Sequence, residues 1–381
     1  MIPYGRQSID QGDIDAVVAT LRSDWLTQGP AIPAFEGAVA ARGGARHAVA
    51  VSNATAALHL ACLALEVGPG DRVWTSPNTF VASANCARYC GAEVDFVDID
   101  AQTRNLSVTA LAEKFARAQS ENRLPKVLIP VHFAGQACDM AEIADLARRH
   151  GCRIIEDASH AIGATYRETA VGSCRHADIT VFSFHPVKII TTGEGGMALT
   201  NDDELARRLQ RLRSHGITRD PAEMTEASPG GWYYQQTDLG FNYRMTDLQA
   251  ALGSSQLARL DGFLAARRHR VARYDEALAP LPIDLPRCRP DRQSAWHLYP
   301  IGVAPGRRAT LFARFREAGI GVQVHYIPVH LQPYYRRLGF APGDFPAAEA
   351  YYAGALSLPL YPGLTDADQD QVIGLLRAAL G

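Results

Sequence analysis

At 381 residues and 41.3 kDa the chain is long enough for two or three domains of ordinary size. An apolar fraction of 47% with 20% charged residues excludes a disordered chain, and 38 basic against 40 acidic side chains give no positive field of the kind nucleic-acid binders carry. No apolar run approaches the ~20 residues of a membrane span, and the N-terminus MIPYGRQSID lacks the apolar core of a signal peptide, so a cytoplasmic protein is expected. The seven cysteines are scattered, with no CxxC pair and no metal spacing with histidine. They read as reduced, mostly buried thiols, and no metal site is expected.

Short apolar runs alternate with helical patterns through the first two-thirds of the chain. His47–Val51 (HAVAV) predicts a strand and Thr55–Leu65 the helix after it. Arg72–Thr75, Val94–Val97 and Val127–Val131 (VLIPV) predict further strands, with helices at Val81–Tyr89, Val108–Ala118 and Met140–His150. Arg153–Glu156 (RIIE) and Ile179–Phe184 (ITVFSF) follow as strands. This alternation points to an α/β architecture, a mostly parallel sheet between helices. Met245–Leu278 reads as two helices. A proline-rich stretch, Pro280–Pro290, then leads into a smaller α+β unit with strands near Trp296–Val303 and Val322–His325 and helices near Arg308–Ala318 and Asp366–Ala379. The expected division is a large domain over 1–255, including the N-terminal arm, and a smaller one over 256–381.

Ligands of open α/β sheets gather at the carboxyl ends of the strands. After HAVAV comes Ser52-Asn53-Ala54-Thr55, a polar turn opening a helix, which is either a plain N-cap or an anion site made of free N–H groups. After RIIE comes Asp157, which is either a helix cap or a buried functional acid. After ITVFSF comes His185-Pro186-Val187-Lys188 and then the glycine-rich Thr192–Gly196. A lysine between apolar stretches can be solvated at its tip, or buried and nucleophilic. Phe80, after another strand, is either a core aromatic or a ring-stacking group. Taken together, a phosphate cradle, an acid and a lysine at three strand ends are the parts that pyridoxal phosphate (PLP) requires.

The blocks SNATAALHL, EDASHAIGA, SFHPVK, TTGEGG, GFNYRMTDLQAALG and GVQVHYIPVH, in this order and spacing, resemble the DegT/DnrJ/EryC1/StrS family of PLP-dependent nucleotide-sugar aminotransferases over nearly the whole chain. SFHPVK–TTGEGG is similar to the branch that makes UDP-4-amino-4,6-dideoxy-N-acetyl-β-L-altrosamine for pseudaminic acid. The resemblance implies the PLP-dependent transferase fold type I and a homodimer with its active sites at the subunit boundary. It implies L-glutamate as amino donor and a UDP-linked 4-keto-6-deoxy sugar as acceptor.

Residue by residue, the resemblance implies that Lys188 carries the cofactor and moves the proton, and that Asp157 pairs with the ring nitrogen. His160 lies near the ring's 3-hydroxyl, at a position where many relatives carry Gln. Phe80 stacks on the ring. Ala54, Thr55 and Ser183 hold the phosphate, joined by Asn242 from the other subunit. Tyr4, Leu26, Thr27, Gln28 and Gly29, and Gln323, Val324, His325 and Tyr326, match positions lining the sugar-nucleotide site. The residues alone leave several readings open. His185 can shape the turn before Pro186, His325 and His330 can be core or interface histidines, and Arg244 can brace the Asn242 loop. Trp25 can be packing, and Glu194 can brace the glycine loop. A sugar dehydratase of the same fold is disfavoured, because Lys188 is present and the cysteines lack iron–sulfur spacing, and a non-catalytic regulator of the same fold is disfavoured because both Lys188 and Asp157 are intact.

Overall fold

The computed structural model describes residues 1–380. Two helices open the chain, α1 (Gln11–Leu21) and α2 (Ala31–Gly43). The alternating part follows as β1 (His47–Val51), α3 (Ala54–Ala64), β2 (Arg72–Thr75), α4 (Ala82–Tyr89), β3 (Glu93–Phe96), α5 (Val108–Ser120), β4 (Val127–Ile129), α6 (Met140–Arg149) and β5 (Arg153–Asp157). Then come β6 (Ile179–Ser183), β7 (Gly196–Thr200) and α7 (Asp203–Arg213). Helices α8 (Asp247–Ala258) and α9 (Leu260–Leu278) lead to β8 (Tyr299–Gly302), α10 (Arg307–Glu317), β9 (Ala355–Leu358) and α11 (Asp366–Leu380).

Seven strands form one sheet in the order β1-β7-β6-β5-β4-β2-β3. All neighbours from β6 to β3 pair in parallel, while β7 is antiparallel to both β1 and β6. The sheet is therefore mostly parallel, with one reversed strand. The two-residue side-chain period of a strand divides the sheet's residues between two cores. Ala48, Ala50, Trp74, Leu128, Phe182, Met197 and Leu199 face the layer that holds Phe35, Phe115 and Ile143. Val49, Val51, Val73, Val127, Ile129, Val181 and Ala198 face Leu58, Leu60 and Leu209 on the other side. Each such Val, Leu, Ile, Phe or Met side chain, fully buried, contributes about 1.5–3 kcal/mol and each alanine less, so the sheet is anchored on both faces.

A further apolar cluster gathers Val271, Tyr274 and Leu278 of α9 with Ile301, Phe315, Leu356 and Val372 around the antiparallel pair β8–β9. Ile2 belongs to this cluster. Its N–H donates to the Gly319 carbonyl at 2.8 Å, and its own carbonyl accepts from Gly321 at 2.6 Å. A β-carbon on Gly321 would lie 3.0 Å from the Tyr4 nitrogen, so glycine is what lets the arm run this close. The arm thus begins against the C-terminal part of the chain.

Several elements differ from the sequence expectation. The strand expected at Val127–Val131 stops at Ile129, because Pro130 has no N–H for the ladder. The strand expected from Trp296 starts at Tyr299; Trp296 itself has φ +49°, outside the extended region. No continuous strand forms at Val322–His325. Only Gln323 bridges to Ser357, after which the segment leaves the sheet to line a cavity. Helices α1, α2 and α7 and strand β7 were not anticipated. α1 opens on a reciprocal cap in which Asp10 accepts from the Asp13 N–H and Asp13 accepts from the Asp10 N–H, both at 3.1 Å. An aspartate at the third position does this work in place of the usual glutamate. No helix is long and apolar enough to cross a membrane among the described residues.

Candidate active site

A cavity of about 910 Å³ opens at the carboxyl ends of β5 and β6. Ala54, Thr55, Phe80, Asp157, His160, Ser183 and Lys188 all line it, and so do Tyr4, Gln323, Val324, His325 and Tyr326. Twelve candidate positions spread from residue 4 to residue 326 thus meet in one space.

On the anion side, Asn53 caps α3 by accepting from the Ala56 N–H at 2.8 Å. The first N–H groups of the helix, at Ala54 and Thr55, have no acceptor within their own helix and look out at its positive end. Gly196, the first residue of β7, packs directly against this turn. A β-carbon there would lie 2.5 Å from the Asn53 carbonyl carbon and 2.6 Å from the Ala54 nitrogen, so only glycine fits. This is the spatial reason for the last glycine of TTGEGG. Ser183, at the end of β6, lines the same cavity.

Asp157 ends β5 and is only 5% exposed. One carboxylate oxygen accepts from the Ser159 hydroxyl at 2.6 Å and the Ser159 N–H at 3.1 Å. The other accepts from the Ser83 hydroxyl at 2.6 Å. Lys188 lies at the cavity wall beyond β6. Burial pulls its amine down to about 8, and the attraction of Asp157 only partly offsets this. Lys188 is therefore a neutral, nucleophilic amine in about one molecule in ten at pH 7 and in about half near pH 8.

Three buried imidazoles surround these groups. Burial, with Lys188 and His325 nearby, holds His160 well below the usual histidine range. Burial does the same to His297, helped by His160 and Lys188. His325 is pushed down to about 3 by burial and Lys188, and its Nδ1 lies 2.8 Å from the Ser357 hydroxyl. The His160 and His297 rings are 4.4 Å apart. His160 Nε2 lies 3.2 Å from the Tyr326 hydroxyl, while its Nδ1 is buried without a partner. The site thus sets neutral rings beside the Lys188 amine and the Asp157 carboxylate. Phe80 forms part of the rim and is 59% exposed.

The remaining candidates lie outside this chain's cavity. Leu26 to Gly29 run beside the start of α8, where Thr27 bridges to Thr246. The Gly29 N–H donates to Asp247 at 2.7 Å and the Ala31 N–H to the other Asp247 oxygen at 2.9 Å. Asn242 is exposed, its backbone bridged to Ser214. Of the side chains with open readings, His185 and Glu194 line the cavity. His330 is fully buried on Glu349 at 2.9 Å. Trp25 is exposed.

Sequence reasoning missed Ser83, Ser159, Thr79, His297 and Tyr243 as lining or supporting residues. The D-x-S spacing of Asp157 and Ser159 is a readable local signal, because a side chain two residues on can bond back to the acid. His297 carries no such signal, since only the fold brings it to His160.

Residues 7–377 match the DegT/DnrJ/EryC1/StrS aminotransferase family. The chain belongs to that family. It is 42% identical over 383 aligned residues to the spore coat polysaccharide biosynthesis protein SpsC of Bacillus subtilis, covering 99% of this chain and 96% of that protein. Its fold is similar to Spr1654 from Streptococcus pneumoniae in the PMP form, with a TM-score of 0.91 and 32% identity, covering 100% of this chain and 99% of the other. It is also similar to Helicobacter pylori PseC, an aminotransferase of pseudaminic acid biosynthesis, with a TM-score of 0.90 and 29% identity over 100% and 99% of the two chains. The expected fold is thereby shown, that of the PLP-dependent transferases of type I, and the protein is a PLP-dependent sugar aminotransferase.

Proposed function

We propose that the protein transfers the amino group of L-glutamate to C4 of a UDP-linked 4-keto-6-deoxy-N-acetylhexosamine of the L-AltNAc type. The observation that carries the transaminase chemistry is Lys188, an amine brought down to about 8 inside the cavity that also holds Asp157.

The residues fit the cofactor. The free N–H groups at the start of α3, the Gly196 contact and the Ser183 hydroxyl form a cradle for a phosphate dianion. Asp157 offers a fixed carboxylate to the ring nitrogen, and the unpartnered Nδ1 of His160 offers a polar atom at the ring's edge. Phe80 covers one ring face. When bound, PLP supplies a carbonyl that condenses with amines and a ring that draws electrons from the carbon losing its proton.

Lys188 holds the cofactor through its amine. With that amine free, Lys188 would take the proton from the donor's α-carbon and hold it at Nζ. Its lowered basicity keeps it unprotonated often enough to act as a base near neutral pH. The three neutral histidines place no cation near Lys188 that would compete for the carboxylate of Asp157.

No arginine is among the residues lining the cavity of one chain, yet both substrates are anionic. This supports a homodimer in which Asn242 and the Leu26–Gly29 segment of a second copy complete the site. The exposure of Trp25, Leu26, Phe80, Tyr89 and Leu239 supports the same reading, since these large apolar side chains otherwise face water. Tyr4 and Gln323 offer polar groups to the sugar nucleotide, and Val324 and Ile327 offer a dry wall to its 6-methyl group. UDP and the L-altro sugar are favoured by the SFHPVK–TTGEGG resemblance and by the likeness to PseC. A nucleotide-sugar substrate favours a cytoplasmic enzyme.

A second reading, another nucleotide keto-sugar of a surface polysaccharide, is favoured by the likeness to SpsC. The test is a competition of kcat/KM between the UDP-4-keto-L-AltNAc sugar and dTDP-4-keto-6-deoxyglucose. Preference for the UDP sugar is expected. Preference for the dTDP sugar selects the second reading and leaves the PLP chemistry intact.

A further inference from the structure

We propose that Ser83, backed by Thr79, is the positioning residue that aims the Asp157 carboxylate at the cofactor ring; this rests on the reading of Asp157 as the partner of the ring nitrogen. Ser83 sits in the first turn of α4 and its hydroxyl lies 2.6 Å from one Asp157 oxygen. The Thr79 hydroxyl lies 2.7 Å from the Ser83 hydroxyl. Ser83 and Thr79 are 1% and 2% exposed, so water does not compete for these bonds.

The proton directions follow from chemistry. A carboxylate only accepts, so Ser83 gives its one hydroxyl proton to Asp157. The Ser83 oxygen then accepts from Thr79, and the chain runs Thr79 to Ser83 to Asp157, each bond polarising the next. The other oxygen of Asp157 is held by Ser159, two residues along the same turn, which travels with the acid whatever its orientation. Ser83 reaches it from a separate element, 74 residues earlier in the chain, and so fixes the carboxylate relative to the cavity. Phe80 lies between Thr79 and Ser83, and its carbonyl is 3.3 Å from the Ser83 hydroxyl. One turn therefore sets both the ring-covering group and the acid behind the ring.

The experiment uses the holoenzyme reconstituted with PLP carrying nitrogen-15 in the ring, read by NMR alongside steady-state kinetics. Ser83→Ala should lower kcat about tenfold or more, the scale of a lost bond to a charged acceptor, with KM for both substrates within about twofold. The ring-nitrogen resonance should move toward the unprotonated position, and Ser83→Thr should restore both readouts. Thr79→Val, which keeps Ser83, should move the same two readouts less, and it serves if Ser83→Ala does not fold. In an Asp157→Asn background, Ser83→Ala should add no further loss. A wild-type nitrogen resonance and kcat in Ser83→Ala or, should that variant not fold, in Thr79→Val overturns the proposal, as does a loss additive with Asp157→Asn. If Asp157→Asn alone leaves the resonance unmoved, the reading of Asp157 fails. If Asp157→Asn moves it and Ser83→Ala does not, only the role of Ser83 fails.

Discussion

The hydroxyl of Tyr326 and the Nε2 of His160 lie 3.2 Å apart, joining a residue of the central sheet's loops to one of the C-terminal segment across 166 positions of sequence. Burial keeps Tyr326 protonated well past the usual tyrosine range, so its hydroxyl is the donor, and it keeps His160 neutral, so Nε2 is the acceptor. The two readings of the sequence, one for each residue, become a single contact in the cavity wall.

Tyr326→Phe should therefore destabilise the protein by about 1 kcal/mol, because it leaves a buried imidazole nitrogen without a partner. Urea unfolding of Tyr326→Phe, His160→Asn and the double variant gives the coupling between them. A coupling of zero would mean that the contact contributes nothing to the fold.

Replacing Lys188 by alanine should remove the visible absorbance of the lysine-bound cofactor and all turnover, while the phosphate cradle at Ala54 and Thr55 still retains PLP. Borohydride reduction of the wild type followed by peptide mapping should find the label on Lys188. A label on another lysine contradicts the assignment.

The pH dependence follows from the same amine. Its basicity in the fold is lowered from the ordinary lysine value to about 8, so the neutral form grows as pH rises and predominates above that value. In cofactor-free protein, the rate of covalent PLP capture should rise about tenfold per pH unit below 8 and level off above it. Stopped-flow absorbance between pH 6 and 10 measures this. A plateau reached only near the ordinary lysine range would show that the amine is not desolvated.

Asp157→Asn should lower kcat by at least ~10²-fold, the scale of a missing electrostatic stabiliser, with a smaller change in KM. The amide keeps the shape but places an NH₂ donor or a neutral acceptor where Ser83 and Ser159 now both donate. Near-normal kcat would mean that another acid serves the ring.

Mixing Lys188→Ala with Asn242→Ala subunits should restore about a quarter of wild-type activity, since random pairing gives half heterodimers with one intact site each. Each variant alone should be nearly inactive. Full activity in a monomeric sample, shown by sedimentation, would exclude a shared site.

The sequence by itself determined the alternating architecture, because the period of apolar residues is a local property and a strand's two faces must both be covered. It also pointed to two candidates that follow strands and that the fold brings into one cavity, Asp157 after RIIE and Lys188 after ITVFSF, since strand ends are where a parallel sheet exposes its side chains. Short-range signals were readable too, such as the Asn53 cap and the glycines before β7. The reversed direction of β7 was not readable, because parallel and antiparallel strands carry the same apolar run when both faces are buried. Only the tertiary structure decided that Gly196 must be glycine, by pressing β7 against the Asn53–Ala54 peptide. It alone brought Ser83 and Thr79 behind Asp157 and set His297 against His160. It also left Leu26 to Gly29 bound to Asp247 and away from the cavity of their own chain. These are contacts between residues tens to hundreds of positions apart. Their specificity lies in distance and direction, which packing sets and local sequence does not.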